Sequence, residues 1–355
     1  MGNCDMHNDL PYKTAQHPAL TGLLPEEIAY HIPDAPAFCS RQIFQWIAKG
    51  VQSFEDMTNI SQAMKNKLAN SVNIYSSKVQ KVLQDTDGTI KLQIALHDDL
   101  MIETILLVDA NGRKTACVSC QAGCAMGCAF CKTGTLGLAR NLTAAEIVEQ
   151  FLYLEHKAGT LQNIVFMGMG EPLMNITEIK KSLAVLSHKG GRNLSLKRVT
   201  LSTCGIIDGI YTLADEGPHV RLAVSLTTAD ENLRKKLMPI SRNNSLQDLS
   251  KAIDCYAKKT GKRCTLETVL LGGVNTDEHN AKKLIQFAKD LPVHINLIAW
   301  NPIEDIDFQE PSKNEVSRFY NLLTQGGLNV TVRMKRGRNI AGACGQLGKT
   351  TGNHQ

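Results

Sequence analysis

Between residues 20 and 75 apolar side chains recur at three- and four-residue intervals through "LLPEEIAYHI", "SRQIFQWIAKG" and "SFEDMTNISQAMKNKLANSV", with Gly and Pro between the runs. That spacing predicts a small helical domain, assigned to residues 1–77. From Lys78 to Ser119 the period shortens to β-rich runs broken by the turn signals Asp87-Gly88 and Asn111-Gly112, which predicts a meander. Residues 78–100 read as a connector and residues 101–355 as the main domain. There the pattern alternates. Thr143 and Glu146 form a capping box ahead of "AAEIVEQFLYLEHKAG", with Ile147, Phe151 and Leu154 on one helix face. Strand-like "NIVFMG" precedes helical "NITEIKKSLAVLSH", and the cycle continues through "RVTLS", "VRLAVSL", "CTLETVLL" and "HINLIAW" to a last strand, "LNVTVRM". Strands alternating with helices imply parallel pairing through right-handed crossovers, hence an α/β fold with a complete or partial (β/α) barrel from about residue 101. The functional face of such a barrel lies at the C-terminal ends of its strands, where "GMGEP", "STCG", "SLTT" and "WNP" fall.

Composition narrows the class. The chain has 355 residues, 43% of them hydrophobic, enough for one large α/β domain with a smaller accessory unit. No window offers the near-continuous apolar stretch of a membrane span, and "MGNCDMHNDLPYK" has no basic region followed by an apolar run, so the expectation is a soluble, cytoplasmic protein without membrane contact. "MGNC" is similar to a myristoylation signal, but Met6 stands where that signal needs Ser or Thr. A net charge of +5 permits a polyanionic partner without demanding one. Eleven cysteines in an unsecreted chain of this size point to metal binding or thiol chemistry, not to a disulfide framework.

Five of those thiols fall within "CVSCQAGCAMGCAFC", residues 117–131. Cys124, Cys128 and Cys131 are spaced C-x3-C-x2-C, which brings three thiolates to one face of a loop, one ligand fewer than a closed four-thiolate site. An iron–sulfur cluster held this way keeps a position open for substrate or cofactor, whereas structural zinc wants a fourth ligand. Cys120 is a candidate fourth ligand, although C-x3-C-x3-C-x2-C lacks the paired C-x2-C knuckles of zinc ribbons.

The cysteine motif at the end of the first barrel strand, with Phe130 before the last Cys, resembles the radical SAM superfamily. Taken in order with "MGMGEPLMN", "LSTCGI", "LMPI", "HINLIAWNP", "ACGQL" and the N-terminal "SRQIFQWI" and "FEDMTNIS", it resembles the RlmN/Cfr family of RNA adenosine methyltransferases over most of the chain. The resemblance implies a 4Fe-4S cluster on Cys124, Cys128 and Cys131, with S-adenosylmethionine (SAM) chelating the fourth iron. Read alone, "GMGEP" is a Gly-rich turn and Ser202 a capping serine. The resemblance makes Gly170, Glu171, Ser202, Ser225, Leu226, Thr227 and Asn301 SAM contacts, with Thr227 departing from the family's usual histidine. It also implies two SAM molecules per turnover. The first methylates Cys344; the second, cleaved reductively at the cluster, gives a 5'-deoxyadenosyl radical that takes hydrogen from the S-methyl group, and the methylene radical adds to adenine. Cys117 would then attack the Cys344 sulfur as in thiol–disulfide exchange, with a disulfide bond implied at this step. Glu103, otherwise a solvent-facing strand residue, would accept the proton at the substrate carbon, and Cys120 would be a bystander.

The implied partners are 23S ribosomal RNA and tRNA, with a flavodoxin or ferredoxin as electron donor. Candidate RNA contacts are Arg192, Lys197, Arg198, Arg333, Lys335, Arg336 and Arg338. The family's two branches, methylating adenine C2 or C8, share the cysteines, and "GRNIAGACGQL" departs from the "DIDAACGQL" usual to both. From the spacing alone, a non-catalytic zinc-stabilised RNA-binding protein stays open as a third reading.

Overall fold

The N-terminal apolar spacing folds into α1 (Pro25–Tyr30), α2 (Ala37–Ala48) and α3 (Gln62–Ala69). The computed structural model describes residues 17–348, so the "MGNC" segment lies outside the described residues. Strands β1 (Lys78–Gln84), β2 (Ile90–Ala95) and β3 (Met101–Val108) pair antiparallel, and β3 pairs antiparallel with β4 (Lys114–Cys117). Parallel pairing therefore begins at β4, not at residue 101. A strand-like run carries no sign of its direction, and the short turn at Asn111-Gly112 can join only antiparallel neighbours.

A separate two-stranded hairpin follows, β5 (Gln121–Cys124) with β6 (Gly137–Asn141), and the three spaced cysteines lie at and beyond the tip of β5 next to the short α4 (Lys132–Thr135). The chain then alternates: α5 (Ala144–Ala158), β7 (Asn163–Phe166), α6 (Ile176–Ser187), β8 (Val199–Thr203), α7 (Ile207–Glu216), β9 (Arg221–Ser225), α8 (Glu231–Leu237), α9 (Leu246–Thr260), β10 (Cys264–Leu270), α10 (Glu278–Ala288), β11 (Val293–Ala299), α11 (Lys313–Gln325) and β12 (Val330–Val332). The capping box on Thr143 and Glu146 is present. Helix α5 is buried on nearly every side from Ala144 to Leu154, not only on the Ile147 face. Its outer side is covered by the N-terminal unit: the Glu149 carboxylate accepts hydrogen bonds from Thr21 Oγ1 at 2.8 Å and from Ser76 N at 2.6 Å, and one from the Ser77 hydroxyl.

The ten-stranded sheet runs β1-β2-β3-β4-β7-β8-β9-β10-β11-β12, with every pair from β4 onward parallel. Laid flat, β7 and β12 would stand about 24 Å apart at the usual strand spacing of roughly 4.8 Å. Yet Arg333, just beyond β12, donates from Nη1 to Met167 Sδ, just beyond β7, at 3.7 Å. The sheet therefore curls on itself while its end strands stay unpaired, which is a partial barrel. One large apolar cluster fills it and continues under the N-terminal helices. No helix among the described residues is long and apolar enough to cross a membrane.

Candidate active site

The cysteine loop is fixed from three directions. Ala129 N donates to Leu237 O of α8 at 2.9 Å, Trp300 Nε1 donates to Phe130 O at 2.9 Å, and Lys132 N donates to Gly345 O at 2.8 Å. Thr133 Oγ1 adds a bond to Leu347 O at 2.7 Å. Held this way, Cys124, Cys128 and Cys131 line one cavity of about 970 Å³, its mouth included, which opens at the C-terminal ends of β7 to β11. Burial first, and then the neighbouring thiols, push all three up from the usual thiol range, Cys124 to about 11. A metal binding here must displace their protons. Among the described residues no three His, Cys, Asp or Glu side chains are close enough to hold a single metal ion. A cubane cluster takes one thiolate per iron and asks for no such convergence. Cys120 does not join them. It is 2% exposed, donates its Sγ to Met169 O at 3.6 Å, and is absent from the cavity wall.

The same cavity wall carries Gly170, Glu171, Ser202 and Ser225, four residues expected to meet SAM. Gly170 has φ +102, and a Cβ there would approach the Gln121 side chain to 2.6 Å, so local packing alone requires a glycine. Glu171 is buried; its carboxylate accepts from Cys204 N at 2.7 Å and Leu173 N at 3.0 Å, which stitches the end of β7 to the end of β8. Burial raises its pKa against the lowering effect of those bonds. The cavity's size and its soft-donor triad fit a small cofactor beside a thiolate-held cluster.

A second, adjoining cavity is lined by Ile105, Cys117, Met167, Asn301, Arg333 and Cys344. Cys344 and Arg333 line both cavities. Asn301 is thus beside Cys344, donating Nδ2 to its carbonyl at 3.3 Å, while its buried Oδ1 has no hydrogen-bond partner among the described residues. Cys117, at the end of β4, is 5% exposed; burial first and then Cys344 push its thiol up to about 12, against the Arg333 guanidinium. The implied disulfide is not found: among the described residues Cys117 and Cys344 are both free thiols.

Three expected residues lie elsewhere. Leu226 is fully buried in the main apolar cluster and does not touch the cavity. Thr227 is also buried, at φ +61 with an unpartnered hydroxyl, outside both cavities. Glu103 is buried in an ion pair with Lys91, 3.1 Å away, and accepts from Gly348 N at 2.9 Å. Sequence reasoning passed over Cys204 and Glu267 in the cavity wall and placed Arg333 on the RNA-facing surface. It also passed over Arg234, 1% exposed, which donates to Leu226 O, to Ser225 O at 3.1 Å and to Cys204 O at 2.9 Å, joining the ends of β8 and β9. Position just past a strand C-terminus was the available signal, and Arg333 after β12 and Cys204 after β8 answer to it, whereas Glu267 sits in the middle of β10.

Comparison with known proteins places the chain in a family. Residues 118–285 match the radical SAM superfamily model, and residues 31–74 match the model of the ribosomal RNA large subunit methyltransferase N-terminal domain. A probable dual-specificity RNA methyltransferase RlmN of Treponema denticola is 56% identical over 96% of both chains, and that of Treponema pallidum is 52% identical over 94% of this chain and 98% of its own. The crystal structure of a radical SAM methyltransferase from Sphaerobacter thermophilus superposes with a TM-score of 0.90 at 38% identity, covering 93% of this chain and 99% of that one. The chain belongs to the RlmN family of radical SAM RNA methyltransferases.

Proposed function

We propose that this enzyme methylates C2 of an adenosine in 23S ribosomal RNA near the peptidyl-transferase centre, and of an adenosine next to the tRNA anticodon, through an S-methyl intermediate on Cys344. The observation that carries this reading is the position of Cys344 on the boundary of two cavities, one lined by the C-x3-C-x2-C thiols and the other by Cys117. A sulfur at that boundary can take a methyl group from one side and meet a second thiol on the other. The names of the relatives supply RNA as the substrate class, and the N-terminal family model adds large-subunit ribosomal RNA.

When bound, the cluster and SAM supply the methyl group and one-electron chemistry that an aromatic carbon, too weak a nucleophile to attack SAM, requires. Cys124, Cys128 and Cys131 hold the cluster; Gly170, Glu171, Ser202 and Ser225 shape the space beside it, and Asn301 offers its unpartnered Oδ1. Cys344 carries the carbon to the base. Glu103 accepts the proton lost from the substrate carbon. Cys117 then attacks the Cys344 sulfur as thiolate: an S–S bond forms, the C–S bond breaks, and the released carbon takes up a proton to become the methyl group. A small electron-donor protein of the flavodoxin or ferredoxin type provides reducing equivalents.

The test is mass spectrometry on protein purified and reconstituted without oxygen, wild type against Cys117→Ala. Iron with acid-labile sulfide, methylated Cys344 and an RNA adduct confined to the variant are the expected results. Nuclease digestion of that adduct reads C2 against C8. Stoichiometric zinc without sulfide, or an unmethylated Cys344 in a chain with an intact cluster, would overturn the reading.

A further inference from the structure

The meander grips the segment that bears Cys344 on both sides of the thiol, and the grip runs through a buried ion pair. Lys91 faces Ile105 across β2 and β3, Gln93 faces Glu103, and Ile105 in turn faces Cys117 across β4, so Lys91, Glu103 and Cys117 share one face of the sheet. Lys91 is 1% exposed and Glu103 4%, with Nζ and Oε1 3.1 Å apart. Each also holds the loop: Lys91 Nζ donates to Ala341 O at 3.1 Å, and Glu103 Oε2 accepts from Gly348 N at 2.9 Å. Ala341 and Gly348 bracket Cys344. Nearer the surface, in the β1–β2 turn, Asp87 accepts from Gly337 N at 2.9 Å and Asp85 accepts from Asn339 Nδ2 at 2.8 Å.

We propose that Lys91 is a positioning residue that couples the carboxylate of Glu103 to the docked position of the Cys344 segment. The proposal rests on the reading of Glu103 as proton acceptor. With the segment docked, Oε2 accepts from the Gly348 amide and Oε1 from Lys91 and Gln93, and the carboxylate, 4% exposed, lines neither cavity. When the segment lifts, the Gly348 bond is lost and Oε2 is released. Lys91 then has only Glu103, because a buried ammonium that has lost its carbonyl partner is held to the remaining anion. The carboxylate therefore stays fixed on the face that carries Cys117 while one oxygen becomes free. Docking of the Cys344 segment and availability of the acceptor thus exclude each other, which orders the two halves of the cycle.

Four variants of the full, cluster-reconstituted chain test this. Lys91→Met removes the cation, Lys91→Arg keeps it, Glu103→Gln removes the carboxylate charge, and the double variant Lys91→Met with Glu103→Gln leaves no uncompensated buried charge should a single change prevent folding. Three readouts are taken: deuterium uptake of peptides spanning 334–348, the methylated fraction of Cys344, and methylated RNA. Lys91→Met is expected to speed exchange of that segment and to lower RNA product, each roughly tenfold, while Cys344 stays methylated; Lys91→Arg is expected to restore both. A uniform loss of Cys344 methylation with product would mark Lys91 as merely structural and overturn the proposal. So would wild-type exchange of the segment in both Lys91→Met and the double variant. Loosening as expected together with wild-type RNA product from Glu103→Gln alone would overturn the acceptor reading and leave the coupling standing.

Discussion

Cys117 presents a problem of chemistry at the scale of one side chain. The proposed resolving step needs a thiolate, yet burial and the nearby Cys344 push this thiol from its ordinary value near 9 up to about 12. The Arg333 guanidinium acts in the opposite direction on Cys117, and is itself held more firmly charged by Cys344 first and by Glu267 and Cys117 after it. The thiol is thus stored in its protonated, unreactive form, with one cation nearby to favour the anion. Alkylation of Cys117 by a small reagent should therefore stay slow through about pH 9 and still be rising beyond it, because the rate follows the thiolate fraction. Arg333→Met should slow it further at every pH. Rapid alkylation near pH 8, unchanged in that variant, would show that neither burial nor Arg333 governs this sulfur. The same shift has a stability consequence. An acid whose folded pKa is raised contributes stability that is fully present below the unfolded value of 9 and is lost as pH climbs through 12. Alkaline unfolding should therefore be less steep in Cys117→Ala, read as the pH dependence of the melting temperature.

At the scale of elements, hydrophobic spacing made the alternation legible because each parallel strand is followed by its own amphipathic helix, and the cysteine triad was legible because one loop carries it. What the spacing could not carry was direction and contact. Met101–Val108 reads as a strand in either pairing sense, and only the sheet shows it to be antiparallel. Leu226 and Thr227 lie within a polar-ended motif, yet both are buried just past the end of β9, where each backbone amide donates to Glu267 O of β10. Glu103 read as solvent-facing for the same reason: nothing local reveals that Lys91 and Gly348 close over it. Helix α5 shows the converse, an amphipathic pattern hidden by a second layer. Glu149 on that helix joins two segments of the N-terminal unit, one through Thr21 and the other through Ser76 and Ser77. Glu149→Ala would leave those donors buried without an acceptor, a loss on the order of 3 kcal/mol. The expected result is a lowered melting temperature with faster deuterium exchange concentrated in residues 20–77. Exchange spread evenly over the barrel would show that Glu149 serves the core and not the docking of the helical unit.

At the scale of the whole molecule, the net charge of +5 says less than the pairing of individual cations. Arg192 forks onto Glu155 at 2.8 to 3.0 Å and also reaches Leu161 O, so it fastens α5 to the loop after α6. Glu310 takes both Lys335 and Arg338, the latter at 2.6 Å, and Arg333 belongs to the cavities. Lys197 and Arg198 differ: both are exposed on the single turn Leu196–Arg198 immediately before β8, with no carboxylate among their ion-pair partners in the described residues. Cations already neutralised within the fold release few counterions when RNA binds, whereas free ones release one for each phosphate they meet. Lys197→Glu and Arg198→Glu should therefore weaken tRNA binding and flatten its salt dependence by roughly 0.7 to 0.9 in log–log slope for each phosphate no longer neutralised, without moving the melting temperature. Arg192→Ala should do the reverse, lowering the melting temperature and leaving the slope intact. If the two sets exchange these signatures, the RNA path crosses the α5 side of the barrel, and the intramolecular pairing of Arg192 yields to phosphate when RNA arrives.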